Sequence, residues 1–559
     1  MRSGGRILVD ALVGHGVDMA FGVPGESYLA VLDALYDTGI RFVICRQEGG
    51  AAMMAEAYGK LTGRPGICMV TRGPGATNAS AGVHVAFQDA TPLILFIGQV
   101  GNDMVEREAF QEIDYRRMFG PMAKWVAQID DPARVPEYLS RAFHVATSGR
   151  PGPVVLALPE DMLTGSADVA DLPGWQRARA FPDPAAMAAL GQRLAAAERP
   201  FVLVGGGGWS AAAAADLAEF AAAWALPVGA AFRCQDYLDN LHPAYAGHVG
   251  IGIDPKLKAR IQEADLLLVI GARLDEMTTA GYTLLAPPRA GPPLVHVFPD
   301  PEELNRVYRA DLAIPASIDG FLAAARGLTP PATPPWAART AAAHADYLAF
   351  STPLASNRAL DLGAVVAHLR QEMPADTIVA NGAGNYAVWV HRFWRYAGWR
   401  TELAPTSGSM GYGTPAAVAA ALLHPDRPVL CFAGDGCFQM TCQELATARQ
   451  FGARPIWIVV NNGTYGTIRM HQEREYPGRV SGTDLFNPDF AALARAYGFA
   501  GETVERTADF AAALARVRAA GTGGLIELRT DPEQITPVAT ISGLREAASK
   551  RHNAVTSAG

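Results

Sequence analysis

The sequence predicts an α/β protein built as three doubly wound parallel-sheet domains. Three observations lead there. Short apolar, β-branched runs of about 5–7 residues alternate with longer helical patterns throughout. Two proline-rich stretches interrupt that alternation, "DLPGWQRARAFPDPAAM" and "LTPPATPPWAART". And 559 residues are too many for one hydrophobic core. The domains are expected at 1–170, 187–328 and 350–540, with a tail at 541–559. Three segments of one class read as related modules.

Bulk composition narrows the function classes. Half of the residues are hydrophobic and 18% are charged, which is ordinary globular composition. The formal net charge of −8, with no block of lysine or arginine, offers no footprint for nucleic acid or an anionic membrane. Alanine-rich runs such as "TPAAVAAALLHP" are too short to span a bilayer. The opening "MRSGGRILVDALVGHGVDMAFGVPG" carries an acid inside its apolar part and runs on into a strand, so it does not read as a signal peptide. The six cysteines show no C-x-x-C and no metal-ligand spacing, which fits reduced thiols in a cytoplasm.

One stretch carries chemistry. In "RPVLCFAGDGCFQMTCQELATARQFGARPIWIVVNNGTYG", "RPVLCFAGD" reads as a buried strand, "MTCQELATARQFG" as a helix and "RPIWIVVNN" as the next strand. Such a βαβ crossover leaves the carboxyl ends of both strands on one rim of the sheet, where α/β proteins bind ligands. Asp435 and Asn462 stand at those two ends and offer oxygen ligands. Gly434 and Gly436 let backbone approach closely, and the helix start favours an anion. Alone, Asp435 is an ordinary helix cap and Asn462 an ordinary turn residue. Together on one rim they describe a Mg²⁺–diphosphate site, because Mg²⁺ takes few protein oxygens beside phosphate and water.

"GDG" followed by "NN" resembles the fingerprint of thiamine-diphosphate enzymes, and similarity to acetolactate synthase-like members covers nearly the whole chain. The resemblance implies two cofactor-binding modules flanking a central Rossmann-like domain. It implies metal ligation by Asp435, Asn462 and the carbonyl of Thr464. Gly434, Gly436, Cys437, Tyr465 and Gly466 would line the diphosphate, with Asn385 and Tyr386 of "NGAGNYAVW" beside it. In "APTSGSMGYGTPAA", Gly408 and Met410 would hold the pyrimidine, Met410 wedging the two rings into a V. In "RFVICRQEGGAAMMAEAYGKLTGRPG", Glu48 matches the glutamate that activates the cofactor through a pyrimidine nitrogen. The family's paired arrangement implies a homodimer or a dimer of dimers, with active sites between subunits, acting on a small 2-oxo acid.

"REAFQEID" resembles the synthase motif, which makes Phe110 and Gln111 substrate neighbours, with Gln111 also catalytic; Lys124 in "PMAKW" matches a synthase lysine at the substrate. Three departures complicate the reaction. "GARLDEM" has Met277 where the synthases carry an arginine for the acceptor carboxylate, and a methionine cannot pair with a carboxylate. His471 stands for a substrate-channel tryptophan. "FGVPGES" has Glu26 where synthases have glycine and where simple decarboxylases often have an acid or serine. Glu26 as proton donor and His471 as proton shuttle would favour release of a free aldehyde; a helix-start acid and a solvated loop histidine are the plainer readings. Carboligation to a second carbonyl, simple decarboxylation and a FAD-dependent oxidation all remain on this ground.

The middle segment opens on "FVLVGGGGWSAAAAADLAEF", a strand, four glycines and a helix. The third glycine of a dinucleotide fingerprint is missing, and no acid follows the next strand in "LPVGAAFRC". Close packing of the helix is the expected use of these glycines, with FAD as the alternative against it.

Overall fold

The structure, a computed structural model, describes residues 1–354, 356 and 358–558, with side chains described as far as Arg551. The chain folds as two compact units, Met1–Asp346 and Tyr347–Gly559. The first unit holds two six-stranded sheets and the second holds one.

The first sheet is built from β1 (Met19–Gly22), β2 (Arg41–Ile44), β3 (Gly66–Val70), β4 (Leu93–Gln99), β5 (Trp125–Gln128) and β6 (Pro153–Pro159). Its order is β2-β1-β3-β4-β6-β5, parallel throughout. Helices α1 (Glu48–Thr62) and α2 (Pro74–Asp89) follow β2 and β3. Nearly all of α1 is buried, down to Ala51, Ala52, Ala55 and Ala57 at no exposure, and α2 packs closely against it. That is why the α1 sequence is dense in small residues. Helix α3 (Val135–Thr147) covers the other face, where Leu139, Phe143 and Ala146 enter a core with Ile94, Phe96, Val154 and Leu156.

The second sheet comprises β7 (Pro200–Val204), β8 (Val228–Ala230), β9 (Tyr245–His248), β10 (Leu266–Ile270), β11 (Leu294–Phe298) and β12 (Leu312–Pro315). Its order, β9-β8-β7-β10-β11-β12, is the doubly wound dinucleotide-fold order. Helix α4 (Ala211–Ala223) follows β7. A Cβ on Gly207 would stand 2.1 Å from the Ala90 carbonyl oxygen, and one on Gly206 2.0 Å from that of Gly271. Trp209 and Tyr237 donate to the carbonyls of Gly205 and Gly206. Gly206 and Gly207 therefore serve close backbone packing.

The third sheet comprises β13 (Ile378–Asn381), β14 (Glu402–Leu403), β15 (Val429–Gly434), β16 (Ile456–Asn461), β17 (Ala500–Val504) and β18 (Gly524–Arg529). The order β14-β13-β15-β16-β18-β17 repeats the strand order of the first sheet, as expected for related modules. The helix expected between β15 and β16 is broken into α5 (Asp435–Gln439) and α6 (Glu444–Phe451). At the break, Thr441 Oγ1 donates to the Gly411 carbonyl, a long-range contact that local propensity does not encode. α7 (Gly466–Glu475) follows β16, and β18 leads to a hairpin of β19 (Gln534–Thr536) and β20 (Ala539–Thr540).

Two expectations change in detail. The second proline-rich break is partly taken up by a helix at Ala337–Phe350. The stretch read as a tail is the helix α8 (Ile541–Ala558), which packs on α7 and is tied there by Arg545 and Glu473. No helix among the described residues is long and apolar enough to cross a membrane, and none of the six cysteines is in a disulfide.

Candidate active site

The parallel register of β15 and β16 sets Gly434 opposite Val460, so Asp435 and Asn462 emerge side by side. Asp435 is 3% exposed and no lysine or arginine pairs with it among the described residues. Its Oδ1 accepts from its neighbour Gly436 N at 2.9 Å, and its Oδ2 from Gly463 N at 2.9 Å and from Asn487 Nδ2 at 2.7 Å. Burial pushes this carboxyl up from the ordinary range, while the donors from Gly436, Asn487, Gly463 and Asn462 pull it back. Asn462 Oδ1 accepts from Thr464 N at 3.2 Å, which folds the loop so that Thr464 lies beside both.

These residues open into a cavity of about 270 Å³. All the cofactor residues expected in this unit line it: Asn385, Tyr386, Gly408, Met410, Gly434, Asp435, Gly436, Cys437, Asn462, Thr464, Tyr465 and Gly466. Tyr386 OH accepts from Gly382 N at 3.1 Å and donates to Cys437 Sγ at 3.5 Å, which fixes the ring against the GDG turn. Asn385 is held by Thr467 Oγ1, which donates to its Oδ1 at 3.0 Å. A Cβ on Gly436 would stand 2.5 Å from the Tyr465 ring, so the turn closes only with glycine there.

This donor set fits a divalent cation carrying a diphosphate. A buried carboxylate without a cationic side-chain partner, an amide oxygen and a loop carbonyl are hard oxygen ligands. Backbone N–H groups at the starts of α5 and α7 suit phosphate oxygens, although α5 is only five residues long.

In the first unit, the rim at the carboxyl ends of β1–β4 and β6 gathers other expected residues. Glu48 opens α1 behind the N-cap Gln47, whose side chain accepts from Gly50 N. Glu48 Oε2 accepts from Asn78 Nδ2 at 2.9 Å. Phe110 and Gln111 lie on the loop after β4; Phe110 is 71% exposed and Gln111 is left-handed at φ +65°. Arg72 ties this rim together: Nε donates to the Phe110 carbonyl, Nη1 to Glu160 and Nη2 to Glu26.

Three expected residues stand in other surroundings within this chain. Lys124 precedes β5 at the amino edge of the sheet, opposite the rim, and its Nζ donates to the carbonyls of Val145 and Ser148 at the end of α3. It caps a helix and does not join the substrate residues in this chain. Glu26 reaches the rim, where its exposed carboxylate accepts from Arg72. His471 is exposed on α7 and does not line the cavity, into which α7 instead directs Thr467 and Ile468. Residues that motif reading passed over are Asn487, Trp389 and Ile535. They come from segments with no fixed spacing from the fingerprint; the Asn-Pro pair at 487–488 marks a turn but no ligand contact.

Comparison with known families settles what this architecture is. Thiamine pyrophosphate enzyme models match all three domains: the N-terminal TPP binding domain over residues 2–118, the central domain over 187–325 and the C-terminal TPP binding domain over 382–528. The chain is 33% identical over 521 residues to the acetolactate synthase isozyme 2 large subunit of Escherichia coli (strain K12), covering 92% of each. The chain belongs to the thiamine pyrophosphate enzyme family. Within that family it is acetolactate synthase-like and thiamine-diphosphate-dependent. It is also 30% identical over 559 residues to the probable acetolactate synthase large subunit of Methanocaldococcus jannaschii, covering 97% of this chain and 94% of that one. A further relative, the acetolactate synthase large subunit IlvB1 of Mycobacterium tuberculosis, is 33% identical over 536 residues, covering 92% of this chain and 86% of its own.

Proposed function

We propose that this enzyme uses thiamine diphosphate and Mg²⁺ to decarboxylate a 2-oxo acid and to join the remaining acyl unit to a second carbonyl compound. The observation that supports it most is the buried Asp435 carboxylate beside Asn462 and Thr464, in a cavity lined by every cofactor residue expected in the second unit. Asp435, Asn462 and the Thr464 carbonyl hold the cation, which neutralises the diphosphate. Met410, on the cavity wall, would pack against the cofactor's rings. When bound, the cofactor supplies an acidic thiazolium carbon and an electron sink for loss of CO₂. Glu48, positioned by Asn78, would hold a proton at its carboxyl for a pyrimidine nitrogen of the bound cofactor. Phe110 and Gln111 border the substrate, and the left-handed turn at Gln111 presents its amide from a fixed point on the rim.

The reading includes a homodimer or dimer of dimers, in which the Glu48 rim of one subunit serves the metal site of its partner, and a cytoplasmic location. Release of a free aldehyde is the second reading, favoured by Met277, an uncharged side chain where the resembling synthases have arginine. Incubation of the purified enzyme with thiamine diphosphate, Mg²⁺ and a panel of 2-oxo acids, with and without aldehyde or 2-oxo acid acceptors, separates the two. Ligated products support the first reading and aldehyde alone the second; no CO₂ from any acid overturns both. Yellow colour bleached by substrate would instead mark a FAD-dependent oxidase.

A further inference from the structure

Asn487 occupies a position that the cofactor fingerprint does not describe. Its Nδ2 donates both hydrogens, one to Asp435 Oδ2 at 2.7 Å and one to Asn461 Oδ1 at 2.8 Å. Its Oδ1 accepts from Gln439 Nε2 at 2.7 Å. The amide thus joins the last residue of α5, the GDG aspartate and the last residue of β16. Asn461 is anchored in turn, Nδ2 donating to Glu527 Oε1 at 2.7 Å. Glu527, wholly buried, also accepts from Thr503 Oγ1 at 3.1 Å and Arg529 Nε at 3.3 Å.

The two oxygens of Asp435 are consequently unequal. A carboxylate oxygen has two lone-pair sites. Oδ2 meets two donors within hydrogen-bond distance, Gly463 N and Asn487 Nδ2, whereas Oδ1 meets one, Gly436 N; the backbone N–H of Asn462 also pulls on the carboxyl but closes no hydrogen bond onto Oδ1. One lone pair on Oδ1 is left for a cation. Mg²⁺ takes single oxygens in a near-ideal octahedron, whereas Ca²⁺ readily takes both oxygens of a carboxylate. We infer that Asn487 is a metal-selectivity residue: by occupying Oδ2, it holds Asp435 as a one-oxygen ligand and favours Mg²⁺ over Ca²⁺. This rests on the cofactor reading above. Loss of the Asn487 amide would open a lone pair on Oδ2 and admit two-oxygen ligation. Asn487 acts through Asp435 and is a positioning residue.

The test is metal-dependent binding of thiamine diphosphate to the full-length chain, titrated with Mg²⁺ or Ca²⁺ alone and read by quenching of tryptophan fluorescence, since Trp389 lines the cavity. In the wild type, half-saturation comes at lower Mg²⁺ than Ca²⁺. Asn487→Ala should narrow that ratio about tenfold, at the lower end of what outer-shell partners of a metal ligand are worth. Gln439→Ala, which frees the Asn487 amide to rotate but touches no ligand, should move the ratio the same way by less; it decides the matter if circular dichroism shows Asn487→Ala unfolded. A folded variant that weakens both metals equally, or leaves the ratio unchanged, overturns the inference while the cofactor reading stands. Wild-type protein that shows no metal-dependent quenching overturns the cofactor reading and this inference with it.

Discussion

Arg72 Nη2 lies 3.0 Å from Glu26 Oε1, in an ion pair whose guanidinium is 9% exposed and whose carboxylate is 67% exposed. The cation is therefore the buried partner, and Glu160 and the Phe110 carbonyl hold it from the other sides. Glu26→Gln removes only the solvent-side arm and should cost less than about 1 kcal/mol. Arg72→Gln leaves the part-buried Phe110 carbonyl and two carboxylates without their donor and should cost about 1–3 kcal/mol. Thermal denaturation of both variants checks the order. Because Arg72 also fixes the loop bearing Gln111, its variant should raise KM for the 2-oxo acid, and steady-state kinetics with a saturating cofactor reads that.

Glu48→Gln keeps the shape of the side chain and can still meet Asn78, so the fold should be unchanged. It cannot carry a proton. Turnover should fall by about 10²–10⁴-fold, and exchange of the thiazolium proton of the bound cofactor, followed by NMR in D₂O, should stop. Wild-type exchange in the variant would remove Glu48 from activation.

Gly436→Ala places a methyl 2.5 Å from a Tyr465 ring atom and 3.1 Å from Leu485. Overpacking of this kind costs about 1–3 kcal/mol, and here it also displaces a wall of the cavity. The expected result is a lower melting temperature and a smaller rise on adding thiamine diphosphate with Mg²⁺. Differential scanning fluorimetry of the free and loaded protein measures both.

Glu473 on α7 receives two donors from Arg545 on α8, at 2.8 and 2.6 Å, and a third from Arg469 at 3.1 Å. Chiefly through Arg545, its carboxyl is pulled down from 4.5 to about 2. A depressed folded value means that the contribution is fully present above the unfolded value and is lost as pH falls through the folded one. Stability should thus decline between about pH 4.5 and pH 2. Arg545→Gln should cost about 1–2 kcal/mol near neutrality, discounted for its exposed guanidinium, and should flatten that acid limb. Urea unfolding across the pH range tests this.

Lys124 has the opposite sign. Burial pulls its amine down from 10.5 to about 8, so the unfolded chain holds its proton more tightly, and stability should rise with pH between those values. Lys124→Met should abolish that rise in urea unfolding, while leaving kcat/KM within about twofold, as for a residue remote from the substrate rim.

Much of this protein is legible in its sequence alone. The alternation of apolar strands and helices determined the three parallel sheets, because those patterns depend on neighbours in the chain and on the fixed periods of helix and strand. The GDG and NN ends were placed by the same logic, since a parallel crossover returns both strand ends to one rim. Only the tertiary structure decided what meets those residues. Asn487 reaches Asp435 across 52 residues of chain, Arg72 reaches Glu160 across 88 and Arg545 reaches Glu473 across 72. Lys124, which matches a substrate residue by motif, turns out to cap a helix on the far edge of its sheet. Such contacts are set by how loops pack over finished sheets, and no local period or spacing carries that information.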